Sequence, residues 1–189
     1  MKLLGSLFAI VSVAPYITTI LRGHTRPVRV TWGLWSLILW VGFAAQWQLE
    51  SWDTLAFVLI DALQVTFIFA LSLWYGAPGW SRIDTLCLVI SLLAIITWRL
   101  TANPAYALYL MIMADLVAAV PTFVHAYTSP HEENGIPFLL FSLGGIFTFM
   151  SNVRWDFHSI MFPLYLTLLN LCIGSLILVR KWIPATDAS

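Results

Sequence analysis

Charged side chains are scarce in this 189-residue sequence, where nine basic and nine acidic residues make up 10% of the chain. Soluble domains average about 25% charged residues. The scarcity excludes a soluble enzyme and a disordered chain, and the balance of signs excludes a basic surface for nucleic acid. Cysteine is scarce too, since Cys87 and Cys172 are the only two and both lie in apolar runs. They form neither a disulfide framework nor a metal-binding motif.

Residue sets that support catalysis are also missing. The sequence has no converging Ser-His-Asp or Cys-His set and no glycine-rich phosphate loop. Its histidines are scattered, with no pair at metal-ligand spacing on one helix. They are His24, His125, His131 and His158. We therefore expect a protein that is not an enzyme and that uses no metal and no cofactor.

Hydrophobic residues make up 60% of the chain and form seven long runs. A membrane-spanning helix needs about 20 apolar residues, whereas a barrel strand needs about 10 residues of alternating character. The runs therefore predict an all-α integral membrane protein with seven transmembrane helices. They cover residues 3–21, 30–47, 52–75, 83–100, 104–127, 136–151 and 157–179. The first run continues past Pro15 to Leu21, so we interpret it as a retained helix rather than a signal peptide.

The connectors predict an orientation. Basic residues after the first, third and fifth runs and near the C-terminus outnumber those on the other side, which are Lys2, Arg99 and Arg154. The richer side holds Arg22, Arg26, Arg29, Arg82, Arg180 and Lys181. By the positive-inside rule the N-terminus lies outside and the C-terminus in the cytoplasm. The connector from His131 to Glu133 is expected to be solvated, and nine of the ten tryptophans are interpreted as interfacial belts, with Trp40 the exception.

An internal repeat relates the two ends of the chain. A shift of 106 residues lays runs five to seven on runs one to three without a gap. The matched positions include Pro15 with Pro121, Ser36 with Ser142, Gln46 with Asn152 and Gln64 with Asn170. Polar residues are costly inside a membrane span, so these matches are informative. They predict two parallel triple-helix bundles, residues 1–75 and 104–189, joined by a linker helix in residues 76–103, with a substrate site between the bundles near mid-depth.

This three-one-three arrangement resembles the SWEET and PQ-loop transporter superfamily, including bacterial vitamin transporters of the nicotinamide riboside type. Pro15-Tyr16 and Pro121-Thr122 stand where the family has its Pro-Gln dipeptide, with the proline kept and the glutamine replaced. Pro137 matches a family proline in the second helix of the second bundle. The stretch from Asp115 to Thr122 also resembles small bacterial membrane proteins of this superfamily, which implies a bacterial cytoplasmic membrane.

The resemblance implies a substrate site and hinges. Gln64 and Asn170, in the third helix of each bundle, are expected to face the substrate. Residues near the outer ends of the second helices are expected beside it, and they are Gln46, Trp47, Asn152 and Trp155. The alternative is that the amides only join helices, or that Gln46 and Asn152 are interfacial. The proposed hinges are Pro15, Pro121 and Pro137, which would loosen helix hydrogen bonds. Gly144-Gly145 predicts close helix packing.

Two carboxylates, Asp61 and Asp115, lie roughly 15 Å inside their spans. Asp61 precedes Gln64 by three residues, so both share one helix face. We expect Asp61 to bind substrate or couple a proton, although a buried acid tied to a tyrosine or amide is the alternative. Asp115 breaks the repeat, because it aligns with Ala9. It is a second proton-coupling candidate, expected outside the ring of amides, and the alternative is that it only accepts hydrogen bonds from Ser91 or from freed backbone groups.

Together these features predict a carrier that moves a small polar molecule, such as a sugar, nucleoside or vitamin, by alternating access between two bundles. The alternative is a membrane receptor or sensor of the same fold that binds a small ligand without moving it. The expected partners are the substrate and the lipid bilayer, with no nucleic acid, and a homo-oligomer is compatible with the sequence.

Overall fold

The computed structural model describes residues 2–48, 52–101, 104–150 and 157–183, and within these ranges the regular secondary structure is all helical, with short connectors between the helices. The helices are α1 (Lys2–Leu21), α2 (Arg29–Gln48), α3 (Trp52–Tyr75), α4 (Arg82–Thr101), α5 (Pro104–Thr128), α6 (Gly135–Met150) and α7 (Phe157–Trp182). A short 3-10 helix, Pro130–Glu132, precedes α6. The all-α prediction is confirmed, and the seven predicted runs differ from these bounds by at most three residues.

Local sequence signals explain where several helices begin and end. Ser81 and Asp84 form a reciprocal capping box before α4, in which the Asp84 amide donates to Ser81 Oγ (3.1 Å) and the Ser81 amide donates to Asp84 Oδ2 (2.6 Å). Asn134 Oδ1 accepts a hydrogen bond from the Ile136 amide at the start of α6 (3.1 Å). Gly23 follows the end of α1 with φ +74°, a left-handed conformation that glycine adopts without steric cost.

Three helices are long and apolar enough to cross a membrane. They contain Val58–Tyr75, Tyr109–Thr128 and Leu164–Trp182, and shorter apolar stretches occupy Leu7–Leu21, Arg29–Ala44 and Gly135–Met150. The outer surface is apolar as well, since α4 alone exposes Leu86, Val89, Ile90, Leu93 and Ile96. A continuous exposed apolar surface of this kind is typical of a lipid-facing protein. These three helices are consistent with association with a membrane, as predicted.

Six of the helices form a closed ring in the order α1, α3, α2, α5, α7, α6 and back to α1. Within each set of three, the third helix packs against both the first and the second. Between the sets, α1 packs on α6 and α2 packs on α5. Helix α4 lies outside the ring, where it packs mainly on α5 and to a smaller extent on α2.

The repeat-related serines occupy equivalent places in this ring. Ser36 of α2 shares a hydrogen bond of 2.7 Å with Thr66 Oγ1 of α3. Ser142 of α6 donates to the Thr167 carbonyl oxygen of α7 (3.1 Å). Both serines are buried. The same offset that aligned them in the sequence therefore gives each a bond from the second to the third helix of its set.

Glycines set the closest helix contacts, which confirms the packing predicted for Gly144-Gly145. A Cβ on Gly144 would lie 2.9 Å from the Gly5 carbonyl oxygen of α1. A Cβ on Gly145 would collide with Thr167 Oγ1 of α7. Helix α6 therefore approaches two neighbours, α1 and α7, at distances that a larger side chain would prevent.

Candidate functional site

A cavity lies at the centre of the ring, and all six ring helices contribute to its wall. The centre of a water molecule can move in about 60 Å³ of it. About 10–15 Å³ of such space holds one water, so the cavity has room for a few waters or for one compact organic group. A bulkier ligand requires the ring to open.

The two amides that the repeat singled out, Gln64 of α3 and Asn170 of α7, both line this cavity. Gln64 Nε2 is buried and has no hydrogen-bond partner among the described residues. Asn170 Nδ2 donates to the Leu166 carbonyl oxygen one turn earlier in its own helix (2.9 Å). The structure thus brings the pair to one cavity. The Gln64 side-chain nitrogen has no described hydrogen-bond partner there, and the Asn170 side-chain nitrogen already donates a hydrogen bond.

Both carboxyl groups line the same cavity. Asp61 is 7% exposed, and no hydrogen-bond donor among the described residues reaches its carboxyl group. Asp115 is 5% exposed, and its Oδ2 accepts a hydrogen bond of 2.6 Å from the Tyr165 hydroxyl. The two lie near enough for their charges to interact.

The structure corrects two expectations about Asp115. It was expected outside the ring of amides but lies at the same cavity as Gln64 and Asn170. Ser91 was one alternative partner for it, but Ser91 Oγ donates to the Ala114 carbonyl oxygen instead (3.0 Å). The side-chain partner is Tyr165, which the sequence reasoning did not consider because α7 carries no motif around it.

Aromatic rings form one side of the cavity. Tyr16 of α1, Trp32 and Trp35 of α2, and Phe138 and Phe141 of α6 all line it. The interpretation of Trp32 and Trp35 as interfacial belt residues was wrong, since they are 5% and 7% exposed. The belt rule considers only position along a span, and these two rings face inward.

The offset of 106 residues could have found this wall. It pairs Trp32 with Phe138 and Trp35 with Phe141, as it pairs Gln64 with Asn170. All three pairs line the cavity. The aromatic matches escaped notice because tryptophan aligns with phenylalanine, which counts as a chance match among apolar runs.

The three predicted hinge prolines differ in their surroundings. Pro15 and Pro121 lie inside α1 and α5, where each removes a backbone donor from the helix. Pro137 lies in the first turn of α6, where the missing N–H has no helical partner in any case. The reason given for a hinge therefore applies to Pro15 and Pro121 and does not apply to Pro137, which instead lines the cavity.

Four residues were predicted beside the substrate near the outer ends of the second helices. Of these, only Trp47 has a described side chain, and it does not line the cavity. Trp47 is 55% exposed near the end of α2 and packs on Phe43. The side chain of Gln46 is not described. Asn152 and Trp155 lie outside the described residues, so their predicted roles stay predictions.

The end of the ring where most of the basic residues lie is called the basic end here. At this end the connector after α1 and the connector before α6 meet across the two halves, and we call the contacts around them the latch. The Tyr16 hydroxyl donates to Glu133 Oε2 (2.9 Å), which links α1 to the connector before α6. The Arg26 amide donates to the Glu132 carbonyl oxygen (2.8 Å), and their side chains form an ion pair of 3.3 Å. Within the second half, Lys181 Nζ of α7 also donates to the Glu133 carbonyl oxygen (2.5 Å). Because Tyr16 also lines the cavity, the latch directly contacts the cavity wall at this end.

Glu133 is the residue that the sequence reasoning missed most clearly. The connector was expected to be solvated, but Glu133 is 1% exposed. Its Oε1 is buried without a partner among the described residues. Burial raises the pKa of the Glu133 carboxyl group to about 8, although the Tyr16 hydrogen bond and the Lys181 charge lower it. No local sequence signal distinguishes Glu133 from Glu132, because burial here depends on how two connectors meet.

A scan against protein-family models finds no matching family, and searches among curated proteins and solved structures find no match either. The SWEET-like resemblance therefore stays a prediction from the residues, and the function is argued from the cavity and the latch.

Proposed function

We propose that the chain is a membrane carrier that moves a small polar molecule by alternating access between two triple-helix bundles. Helices α1–α3 would form one bundle and α5–α7 the other, with α4 as linker and all seven helices crossing the membrane. The observation that carries this proposal is that three residue pairs with one common offset line a single central cavity: Trp32 with Phe138, Trp35 with Phe141 and Gln64 with Asn170. A site built from equivalent residues of two halves suits a machine whose halves move against each other.

The latch supports the proposal because its contacts between the halves are hydrogen bonds and one ion pair, which can break and form again. Tyr16 follows Pro15 directly, and a proline frees the carbonyl four residues earlier and allows a helix to bend. A bend at Pro15 would withdraw the Tyr16 hydroxyl from Glu133 and open the cavity toward the basic end. By the positive-inside rule this end is proposed to face the cytoplasm of a bacterium. Asp61 is the group proposed to exchange a proton during the cycle, with Asp115 as the second candidate.

Access from both sides of the membrane separates a carrier from a receptor. Ser12 lines the cavity and is 3% exposed, so Ser12→Cys, made with Cys87 and Cys172 replaced by alanine, reports entry of reagent. A membrane-impermeant thiol reagent is applied to right-side-out and to inside-out vesicles. For a carrier we expect labelling in both preparations, because each state of the cycle opens one side.

The control is Leu63→Cys in the same background, since Leu63 is 53% exposed on the outer surface of α3, where lipid shields a thiol. It should stay unlabelled in both preparations. Labelling of Ser12→Cys from one side only, together with no uptake of radiolabelled glucose, uridine or nicotinamide into proteoliposomes, would contradict the carrier and favour the receptor.

A further inference from the structure

The chemistry of the cavity wall narrows the class of ligand. We propose that the cavity binds a compact organic cation, such as a methylated ammonium group, between the Asp61 carboxylate and the rings of Trp32 and Trp35. This inference rests on the proposed function and names the substrate class for the same cavity.

The first argument is charge. Asp61 is 93% buried, faces the cavity and accepts no hydrogen bond from a described residue. Asp115 adds a second carboxyl group with only one described side-chain partner, Tyr165. No described lysine, arginine or histidine lines the cavity. An ionised carboxylate in such a place requires a cationic partner or takes up a proton, so a cationic ligand would supply what the protein itself lacks.

The second argument is the aromatic wall, whose rings form one connected cluster. The Tyr16 ring centroid lies 5.2 Å from that of Trp32 and 5.7 Å from that of Phe138. Trp32 and Trp35 meet edge to face at 5.2 Å. A cation within about 6 Å of such ring faces is attracted by their quadrupoles, most strongly by tryptophan. Carboxylates and aromatic faces in one cavity are the two elements that an alkylated ammonium group prefers.

The third argument concerns hydrogen bonds and counts against a sugar. The polar donors of the wall are already engaged, since Ser12 Oγ donates to the Ala9 carbonyl oxygen (2.6 Å), the Tyr16 hydroxyl to Glu133, and Asn170 Nδ2 to Leu166. Among the described donors of the wall, only Gln64 Nε2 and Trp32 Nε1 are buried and free. A sugar would bury many hydroxyl groups with too few partners, which is costly. A quaternary ammonium group requires no acceptor or donor at all.

The test compares two ligands of equal shape. Choline carries a quaternary nitrogen, and 3,3-dimethyl-1-butanol carries a carbon in its place, so they differ in charge alone. Binding is measured on the full chain in detergent by the change in tryptophan fluorescence, which Trp32 and Trp35 in the wall should report, and by the shift in melting temperature. We expect choline to bind at least tenfold more tightly than the neutral alcohol. If choline and the neutral alcohol bind the unchanged chain equally tightly, the proposal is wrong, and no variant is needed to show it.

Asp61→Asn keeps the shape of the side chain and removes its charge. It should weaken choline binding at least tenfold. The matched control is Asp84→Asn, the same substitution in the capping box of α4 outside the ring, which should leave choline binding unchanged. If Asp61→Asn binds choline as tightly as the unchanged chain, the assignment of Asp61 as counter-charge is wrong.

Uptake of radiolabelled choline into proteoliposomes separates the two proposals. Binding with uptake supports both. Choline binding without uptake keeps the substrate class and overturns the carrier. Uptake of glucose or uridine by a protein that does not bind choline keeps the carrier and overturns the cation.

Discussion

At the residue scale, two carboxyl groups share one cavity and differ in their partners. The Asp115 carboxyl group is held by the Tyr165 hydroxyl at 2.6 Å, whereas the Asp61 carboxyl group accepts no hydrogen bond among the described residues. A group fixed by a short bond positions its neighbours, and a group without one is free to exchange a proton or a ligand. We therefore assign positioning to Asp115 and exchange to Asp61.

Tyr165→Phe tests the positioning role. It removes the hydroxyl and leaves a buried carboxyl group without its partner, which costs about 1–3 kcal/mol of stability. The melting temperature in detergent should fall accordingly. Tyr75→Phe, at a residue 44% exposed at the end of α3, is the control and should leave it unchanged. Equal melting temperatures for Tyr165→Phe and the unchanged chain would show that the bond adds nothing to stability.

Sequence reasoning reached the amides of the site and missed most of its aromatic wall. Gln64 and Asn170 were found because amides are rare in apolar runs, so their common offset stood out. Trp32 was assigned to a belt because it lies near the end of a span. That position does not show which face of the helix it occupies. Facing is decided by the order of helices in the ring, and that order depends on contacts between distant parts of the chain.

At the element scale, the bounds of the helices could be predicted from apolar runs and capping residues, but the packing could not. The runs are apolar on every side, because lipid accepts the outer face as readily as protein accepts the inner one. Periodicity therefore does not show which face meets which neighbour. Glycines do carry this information, and the contact of Gly144 with Gly5 joins α6 to α1 across the two halves.

Gly144→Val tests this contact. A valine side chain there would meet the Gly5 carbonyl oxygen and the Phe8 side chain, and it would force α1 and α6 apart. Overpacking of this kind costs about 1–3 kcal/mol, so the melting temperature should fall. Leu143→Val changes the adjacent residue, which is 43% exposed on the outer surface, and should have little effect. A tolerated valine at 144 would mean that α1 and α6 separate without cost.

Pro121→Ala tests the hinge in α5. Alanine restores the backbone donor and favours a straight helix, so the fold should be kept or gain stability. When Pro121→Ala is combined with Ser12→Cys, the rate of labelling by the impermeant thiol reagent from one membrane side should fall at least severalfold, because the bundle opens less often. Pro78→Ala, in the exposed connector before α4, is the matched substitution and should leave the labelling rate unchanged. Unchanged labelling in Pro121→Ala would remove the hinge from the mechanism.

At the scale of the whole molecule, the latch at the basic end of the ring contains one buried acid, Glu133. Glu133 is faced by Tyr16 from α1 and by Lys181 from α7, with Glu132 beside it in the connector and Arg26 paired to Glu132. Burial raises its pKa from 4.5 to about 8, so the carboxyl group is mostly protonated at neutral pH. Ionisation would place a buried charge between the two halves that the Tyr16 hydrogen bond and the Lys181 charge compensate only in part, and it would weaken the latch.

The sign of the pH dependence follows from this shift. Between the ordinary pKa of 4.5 and the folded value of about 8, the folded chain holds a proton on Glu133 that the unfolded chain has released. Stability therefore falls as the pH rises through this window, by at most about 1.4 kcal/mol per pH unit, and it levels off above pH 8. We expect the melting temperature in detergent to decline from pH 5 to pH 8.

Glu133→Gln tests this assignment, because glutamine keeps the length of the side chain and cannot titrate. The decline between pH 5 and pH 8 should be shallower in this variant, since residue 133 is then neutral in both the folded and the unfolded chain, and any remaining decline belongs to other buried acids such as Asp61 and Asp115. Glu132→Gln, at the half-buried neighbour that pairs with Arg26, should keep the decline. A decline as steep in Glu133→Gln as in the unchanged chain would place the titrating group elsewhere, and the latch would then not respond to pH through this residue. If the decline is shallower in the variant, labelling of Ser12→Cys from the basic side should increase above pH 8 when Glu133 is present and should not increase in Glu133→Gln, because only Glu133 gains a charge at the latch.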